Sequence, residues 1–333
     1  MKKYTYSCFT ALLLMFCSPL LGRTTLKMAV IVPKQSIWGE KLEAAARAIK
    51  EETGGNVKLR IYYGGVQGDE LKVVQKMRIG QLQGAGFMAR GMSKICPDSL
   101  IFSIPLQLYS DDEAITLHKK MESYFEKQAQ KRGYHIVDWS NQGFTYCYSK
   151  NRIVNLQNLR DSKPWMLEND EFSKSFFKCS GISAVPAQVS DVTTALQSGM
   201  IRTVFSPPIG MIIMQWHTRV SNKLDVGLFY SFGAIVFTEK AWRKLSPKYQ
   251  EVVTRVIKKA TKELNVAIKK QNADASKVLA KTITSTPPTP EGLKELRAVT
   301  AKVEADMSGK SFSKESMELL KKYLKEYRSK KSE

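Results

Sequence analysis

Hydrophobic and polar positions alternate at Leu26, Met28, Val30 and Val32, the period of a half-buried strand ending at Pro33. Ser36 is placed to cap a helix whose apolar face carries Trp38, Leu42, Ala45, Ala46 and Ile49, with Gly54-Gly55 as its stop. Val57, Leu59 and Ile61 alternate again up to Gly64-Gly65. Asp69 and Glu70 then open a helix through Leu71, Val74 and Met77, stopped at Gly80. This β-α-β-α order predicts a parallel sheet with helical crossovers. A further helix is predicted over 111–132, ended by Gly133, followed by a strand at Ile136-Val137-Asp138-Trp139.

Between 151 and 230 the apolar runs shorten and turns multiply. Residues 191–199 read as a short helix with a glycine stop, and 209–216 as a largely buried helix. Ser246-Pro247 is a cap followed by proline at the first helical position. From there Val252, Val253, Val256, Ile257, Ala260, Leu264, Ala267 and Ile268 form one stripe that runs on to Leu279. A helix over 246–279 is roughly 50 Å long, more than one domain of this size needs, and suits a brace between two domains. The proline-rich run 286–290 reads as a turn, and two helices close the chain.

The 333 residues fit two domains of ordinary size. The start adds an address. Met1-Lys2-Lys3, the apolar run from Ala11 to Cys17, and Pro19 to Gly22 have the layout of a secretory signal peptide, so 1–22 is expected to be removed. The apolar run is too short to span a bilayer. Cys96, Cys147 and Cys179 remain, an odd number without CxxC spacing; three buried thiols are the default reading, with one bridged pair left open.

The formal net charge is +21. No nucleic-acid motif accompanies it, and the lysines are dispersed along helices, so solvated faces are expected; an anionic membrane surface or an acidic partner is the alternative. No phosphate loop, nucleophile elbow or HExxH is present, and Gly84-Ala85-Gly86 lacks its third glycine and reads as a turn. His118, His135 and His217 are far apart, as surface or satisfied core histidines would be. Asp111-Asp112-Glu113 suits a helix N-terminus. No catalytic residue, metal site or cofactor is expected, and the chain is not read as an enzyme.

A series of short motifs carries a resemblance. In order they are the strand at 26–32, Ser36-Ile37-Trp38-Gly39, Glu52-Thr53-Gly54-Gly55, the run from Tyr63 to Glu70, and Met77-Arg78-Ile79-Gly80. Ser103-Ile104-Pro105-Leu106 with the acidic triplet at 111–113 follows, then Asn158-Leu159-Arg160, the run from Ala195 to Gly199, and the run from Ala241 to Pro247. Together they resemble the DctP-type solute-binding proteins of TRAP transporters. The resemblance implies an α/β, two-lobed periplasmic binding protein fold with hinge strands, a long helix under both lobes, and a ligand cleft that closes by hinge motion. It implies residues 23–148 with part of 231–285 as lobe I, 149–230 with part of 286–333 as lobe II, and 246–279 as the joining helix. The family's typical ligands are organic acids, handed to a membrane permease.

Three departures from the family pattern change the expected ligand. Where the resemblance places a carboxylate-clamping arginine, Pro164-Trp165-Met166 puts Trp165. Thr145 stands where a second arginine often follows Gly143, and Val204-Phe205-Ser206 replaces a polar Gln-Glu-Asn run. A carboxylate buried without a charged partner costs several kcal/mol, so these changes favour a hydrophobic or amphipathic solute. Phe87, Met88, Met92, Met166 and Phe232 are candidates to extend the lining, with ordinary core packing as the alternative for each. A second reading keeps an organic acid and displaces the clamp to Arg160, Lys163 or Arg202. A third makes the chain an interaction protein with a vestigial cleft. The departures also resemble a subclass that pairs with a TPR-repeat periplasmic protein. Expected partners are therefore the solute, the TRAP permease subunits and a TPR-repeat protein, in the periplasm.

Overall fold

The computed structural model describes residues 23–331; the expected signal peptide at 1–22 lies outside them. The chain begins with β1 (Thr24–Val30), α1 (Ile37–Glu52), β2 (Val57–Tyr62), α2 (Glu70–Arg78), β3 (Gly84–Phe87) and α3 (Ala89–Ile95). A 3-10 turn over Pro97–Ser103 leads to α4 (Asp111–Lys131), and β4 (Tyr134–Ser149) crosses into a second lobe. That lobe holds α5 (Leu156–Asp161), β5 (Trp165–Leu167), α6 (Glu171–Ser180), β6 (Val185–Ala187), α7 (Val192–Ser198), β7 (Thr203–Ser206) and α8 (Pro208–Ile213). β8 (Asn222–Thr238) returns to the first lobe, followed by α9 (Glu239–Trp242), α10 (Pro247–Leu279), β9 (Thr284–Thr286), α11 (Pro290–Met307) and α12 (Lys314–Ser329).

Side-chain caps set the helix starts, at the predicted Ser36, Asp69 and Ser246 and also at Ser110. The side chains of Ser36, Asp69, Ser110 and Ser246 each accept a first-turn N–H of the helix that follows, a contact that stabilises a helix by about 1 kcal/mol. β1 pairs in parallel with both β2 and β3, as the β-α-β-α order requires. The sheet order is β2-β1-β3-β8-β4-β7, with antiparallel pairs along it from β3 onward and β9 added in parallel beside the start of β8. Gly84-Ala85-Gly86 is a buried central strand, not a turn. A Cβ on Gly84 would lie 2.4 Å from the Phe237 ring, so the glycine is there for close packing.

Two strands, β4 and β8, join the lobes. They pair from Tyr134↔Thr238 to Ser149↔Asn222, with register shifts between Ile136/Asp138, Asn141/Gly143 and Thr145/Cys147. Such bulges bend a ribbon and swing its side chains. Gly143, at φ +86, supplies the left-handed residue at the central shift.

The long helix α10 braces both lobes. Near its start Val253, Val256 and Ile257 share a core with Leu42, Ala45 and Ile49 of α1. Midway, the Asn265 side chain accepts Asn141 N–H at 2.9 Å. One level on, the Asn272 side chain donates to Gln142 O and accepts Ile209 N–H. At its end Leu279 enters the core of the second lobe with Tyr148, Trp165 and Val204. α11 packs on α6, and α12 on α4. The helix predicted at 209–216 stops at Ile213, where Ile213 and Met214 are exposed and Gln215 turns left-handed.

Candidate functional site

A cavity of about 230 Å³ lies where the two crossing strands separate the lobes. Its floor is Thr145 of β4 with Phe229 and Ser231 of β8. The first lobe contributes Ala89 and Arg90 from the start of α3, and Leu100 and Ser103 from the 3-10 turn. The second lobe contributes Trp165 and Leu167 of β5, Phe205 of β7, and Asp170, Phe172, Ser173, Phe176 and Phe177 around the start of α6. Five phenylalanines form a continuous edge-to-face array: Phe229 meets Phe172 at 5.1 Å and Phe176 at 5.2 Å, Phe176 meets Phe177 at 5.2 Å, and Phe177 meets Phe205 at 5.9 Å.

Arg90 and Asp170 are the charged side chains lining the cavity among the described residues. Asp170 caps α6, and its Oδ2 accepts both the N–H and the hydroxyl of Ser173, at 2.7 and 2.6 Å. Its charge is thus engaged. Arg90 is looser. Its side chain is 14% exposed, Nη2 donates to Glu168 O across the lobe boundary at 3.2 Å, and Nη1 lies 3.8 Å from Asp69. Its buried Nε has no hydrogen-bond partner among the described residues. The start of α3 is fixed beneath it by Glu70, whose carboxylate accepts Met88 N–H and Gly91 N–H. Burial pushes that carboxyl up, and these two N–H groups and Arg90 pull it back. One turn beyond Arg90, Lys94 reaches Glu171 of the second lobe at 2.6 Å.

The strand period decides which sequence candidates reach the cavity. Trp165 and Leu167 face it and Met166 between them does not; Phe205 faces it and Val204 does not. Val204 is fully buried in the second-lobe core. Ser206 is buried, and its hydroxyl bonds to Pro207 O. Ser231 lines the cavity, whereas its neighbour Phe232 stacks on His118 at 3.9 Å inside the first lobe. Phe87 and Met92 are core residues, and Met88 lies outside this cavity. The three anion candidates do not reach it. Arg160, Lys163 and Arg202 are all exposed; Arg160 bonds to Gln157, and the backbone of Lys163 turns left-handed just before β5.

Trp165 is 7% exposed, and its indole N–H is already spent on Ala187 O at 3.0 Å. Its ring edge meets Trp216 at 5.5 Å. It therefore offers the cavity an apolar face and no donor. Sequence reasoning missed Arg90, Phe172, Phe176 and Phe229. The i, i+4 pair Phe172 and Phe176 was the available signal.

Among the described residues no group of three or more acidic, Cys or His side chains could hold a metal, and no helix is long and apolar enough to cross a membrane. Cys96, Cys147 and Cys179 are free; burial pushes the Cys96 thiol up to about 12 and the Cys147 thiol up as well, so both are unreactive.

The family model DctP, bacterial extracellular solute-binding protein, family 7, matches residues 28–310. The sialic acid-binding periplasmic protein SiaP of Vibrio cholerae is 21% identical over 256 residues, 75% of this chain and 78% of its own. A solute-binding protein of Chromohalobacter salexigens is 22% identical over 248 residues, 72% of this chain and 71% of its own. Among solved structures, a TRAP periplasmic solute-binding protein from Desulfovibrio salexigens with bound orotic acid superposes with TM-score 0.80 at 19% identity, covering 92% of this chain and 99% of that one. DctP7 of Bordetella pertussis, which binds pyroglutamic acid, gives TM-score 0.80 at 19% identity over 90% of this chain and 99% of that one.

Proposed function

The chain belongs to the DctP family of bacterial extracellular solute-binding proteins, family 7, and from that premise we propose that it is the receptor of a TRAP transporter for an amphipathic organic acid. Receptor and transport class follow from the family; the ligand is our reading. One observation carries it: a single loosely held guanidinium, Arg90, stands opposite an array of five phenylalanines. A carboxylate placed at Arg90 would gain a charge-assisted partner, and an aromatic or alkyl body would replace water against the phenyl faces. The acid requirement met by a clamp arginine elsewhere in the family is then met from the first lobe, and the apolar departures at Trp165 and Phe205 shape the body of the ligand.

In this reading residues 23–148 with part of 231–285 form one lobe, and 149–230 with part of 286–333 the other. The contacts of Arg90 with Glu168 O and of Lys94 with Glu171 support it as the closed form. The loaded receptor would dock on membrane permease subunits, with a TPR-repeat protein as a further candidate. Recovery of either from detergent extract at low salt is the check on partners.

A second reading has its own support. Ser103, Thr145, Ser173 and Ser231 bring four hydroxyls to the cavity, and solved relatives carry D-glucuronate and L-gulonate. A polyhydroxy acid would use those hydroxyls and leave the phenyl array as mere packing. Calorimetry with 3-phenylpropionate, succinate and D-glucuronate separates the two. The first reading expects heat from phenylpropionate alone, and binding of glucuronate alone would establish the second.

A further inference from the structure

The crossing strands have two faces. Thr145, Phe229 and Ser231 line the cleft, and the alternate residues Phe144, Tyr146 and Tyr230 line a second cavity of about 230 Å³ on the opposite side, against α10. The walls of this second cavity are set. Asn265 and Asn272 of α10 spend their amides on backbone groups of 139–142 and Ile209. Ala273 and Ser276, also on α10, are exposed, so the cavity is open to solvent.

Its chemistry differs from that of the cleft. The half-buried carboxylate of Asp111 lines the cavity together with the Tyr230 side chain. Burial raises its pKa more than Lys269 and Tyr230 lower it, so the charge is under-compensated. Lys269, the other charged residue of the lining, is largely exposed and lies 3.7 Å from Asp112. Tyr146 already holds a cation: Lys223 Nζ lies 4.3 Å from its ring centroid. A carboxylate set among aromatic rings is the chemistry that recognises ammonium groups.

The geometry points to a second ligand site behind the hinge, for a small organic ammonium ion held by Asp111 among Phe144, Tyr146 and Tyr230. An occupant would touch both crossing strands and the helix that braces the lobes, so it would bear on the angle between them. The inference does not depend on which solute the cleft takes.

The test uses the full chain with choline and tetramethylammonium chloride as probes, against sodium chloride at equal ionic strength. Choline is expected to raise the melting temperature and to slow hydrogen exchange at residues 141–146. Asp111→Asn should weaken choline binding by about tenfold or more. Lys269→Met removes the competing cation and should strengthen it. The proposal is overturned if neither probe exceeds the sodium control, if Asp111→Asn binds choline as the wild type does, or if Lys269→Met abolishes binding.

Discussion

Replacing Arg90 with Met keeps the aliphatic stem and removes the charge. In the free protein the change should be modest. The guanidinium makes one 3.2 Å bond to Glu168 O and lies 3.8 Å from Asp69, and its Nε has no partner among the described residues. Losing one net hydrogen bond and the nearby charge that helps hold the buried Glu70 carboxylate, while removing a buried orphan donor, predicts about 1–2 kcal/mol of destabilisation. With ligand the effect should be larger. A hydrogen bond to a charged group contributes about 1.5–3 kcal/mol, so the dissociation constant for 3-phenylpropionate should rise about 10- to 150-fold. The assay is titration calorimetry of both proteins with 3-phenylpropionate and with its neutral amide. The amide should bind both forms alike, since it carries no charge for Arg90 to meet. Equal affinity of wild type and Arg90→Met for the acid, with both proteins folded, would refute the assignment of the acidic head to Arg90.

Three further outcomes are expected. Lys94→Ala removes the Lys94–Glu171 pair, which is partly exposed, and should cost about 1 kcal/mol or less; it should show as faster ligand release in stopped-flow, with fold stability nearly unchanged. Trp165→Phe removes one of the two donors to Ala187 O, which keeps Glu168 N–H at 3.2 Å, and should cost about 1 kcal/mol in denaturant melts, while leaving the affinity for the acid close to wild type. Burial raises the Asp138 carboxyl to about 6, above the unfolded value of about 3.9. The folded state therefore binds more protons between those values, and this group lowers stability above pH 6. Asp138→Asn should then stabilise the protein by about 1–2 kcal/mol at pH 8 after discounting for partial exposure, and by nothing at pH 4, as read from paired thermal melts.

Much of the fold was legible because local signals agreed. Ser36, Asp69 and Ser246 cap the helices predicted from them, and the stripe from Val252 to Ile268 lies in the 33-residue helix α10. The crossing strands were less visible. β4 continues ten residues past Trp139, the predicted end, and its bulges break the period-two alternation that marks a strand. β8 was not predicted at all. The site was legible only in part. Thr145, Trp165 and Phe205 reach the cavity because each takes the inward position of its strand, and Val204, Met166 and Phe232 miss it by one residue of register. Arg90 gave no local signal. It sits on a seven-residue helix, and its partner Glu168 is 78 residues away. The charged candidates at 160, 163 and 202 flank loops whose backbone turns them outward.

The central claim is an apolar cleft that receives one acidic head. Side-by-side calorimetric titration of the wild-type protein with 3-phenylpropionate and succinate tests it most directly. The account predicts saturable binding of phenylpropionate and no heat from succinate, whose second carboxylate would be buried against phenyl rings without a partner. Tight binding of succinate together with no binding of phenylpropionate would contradict it.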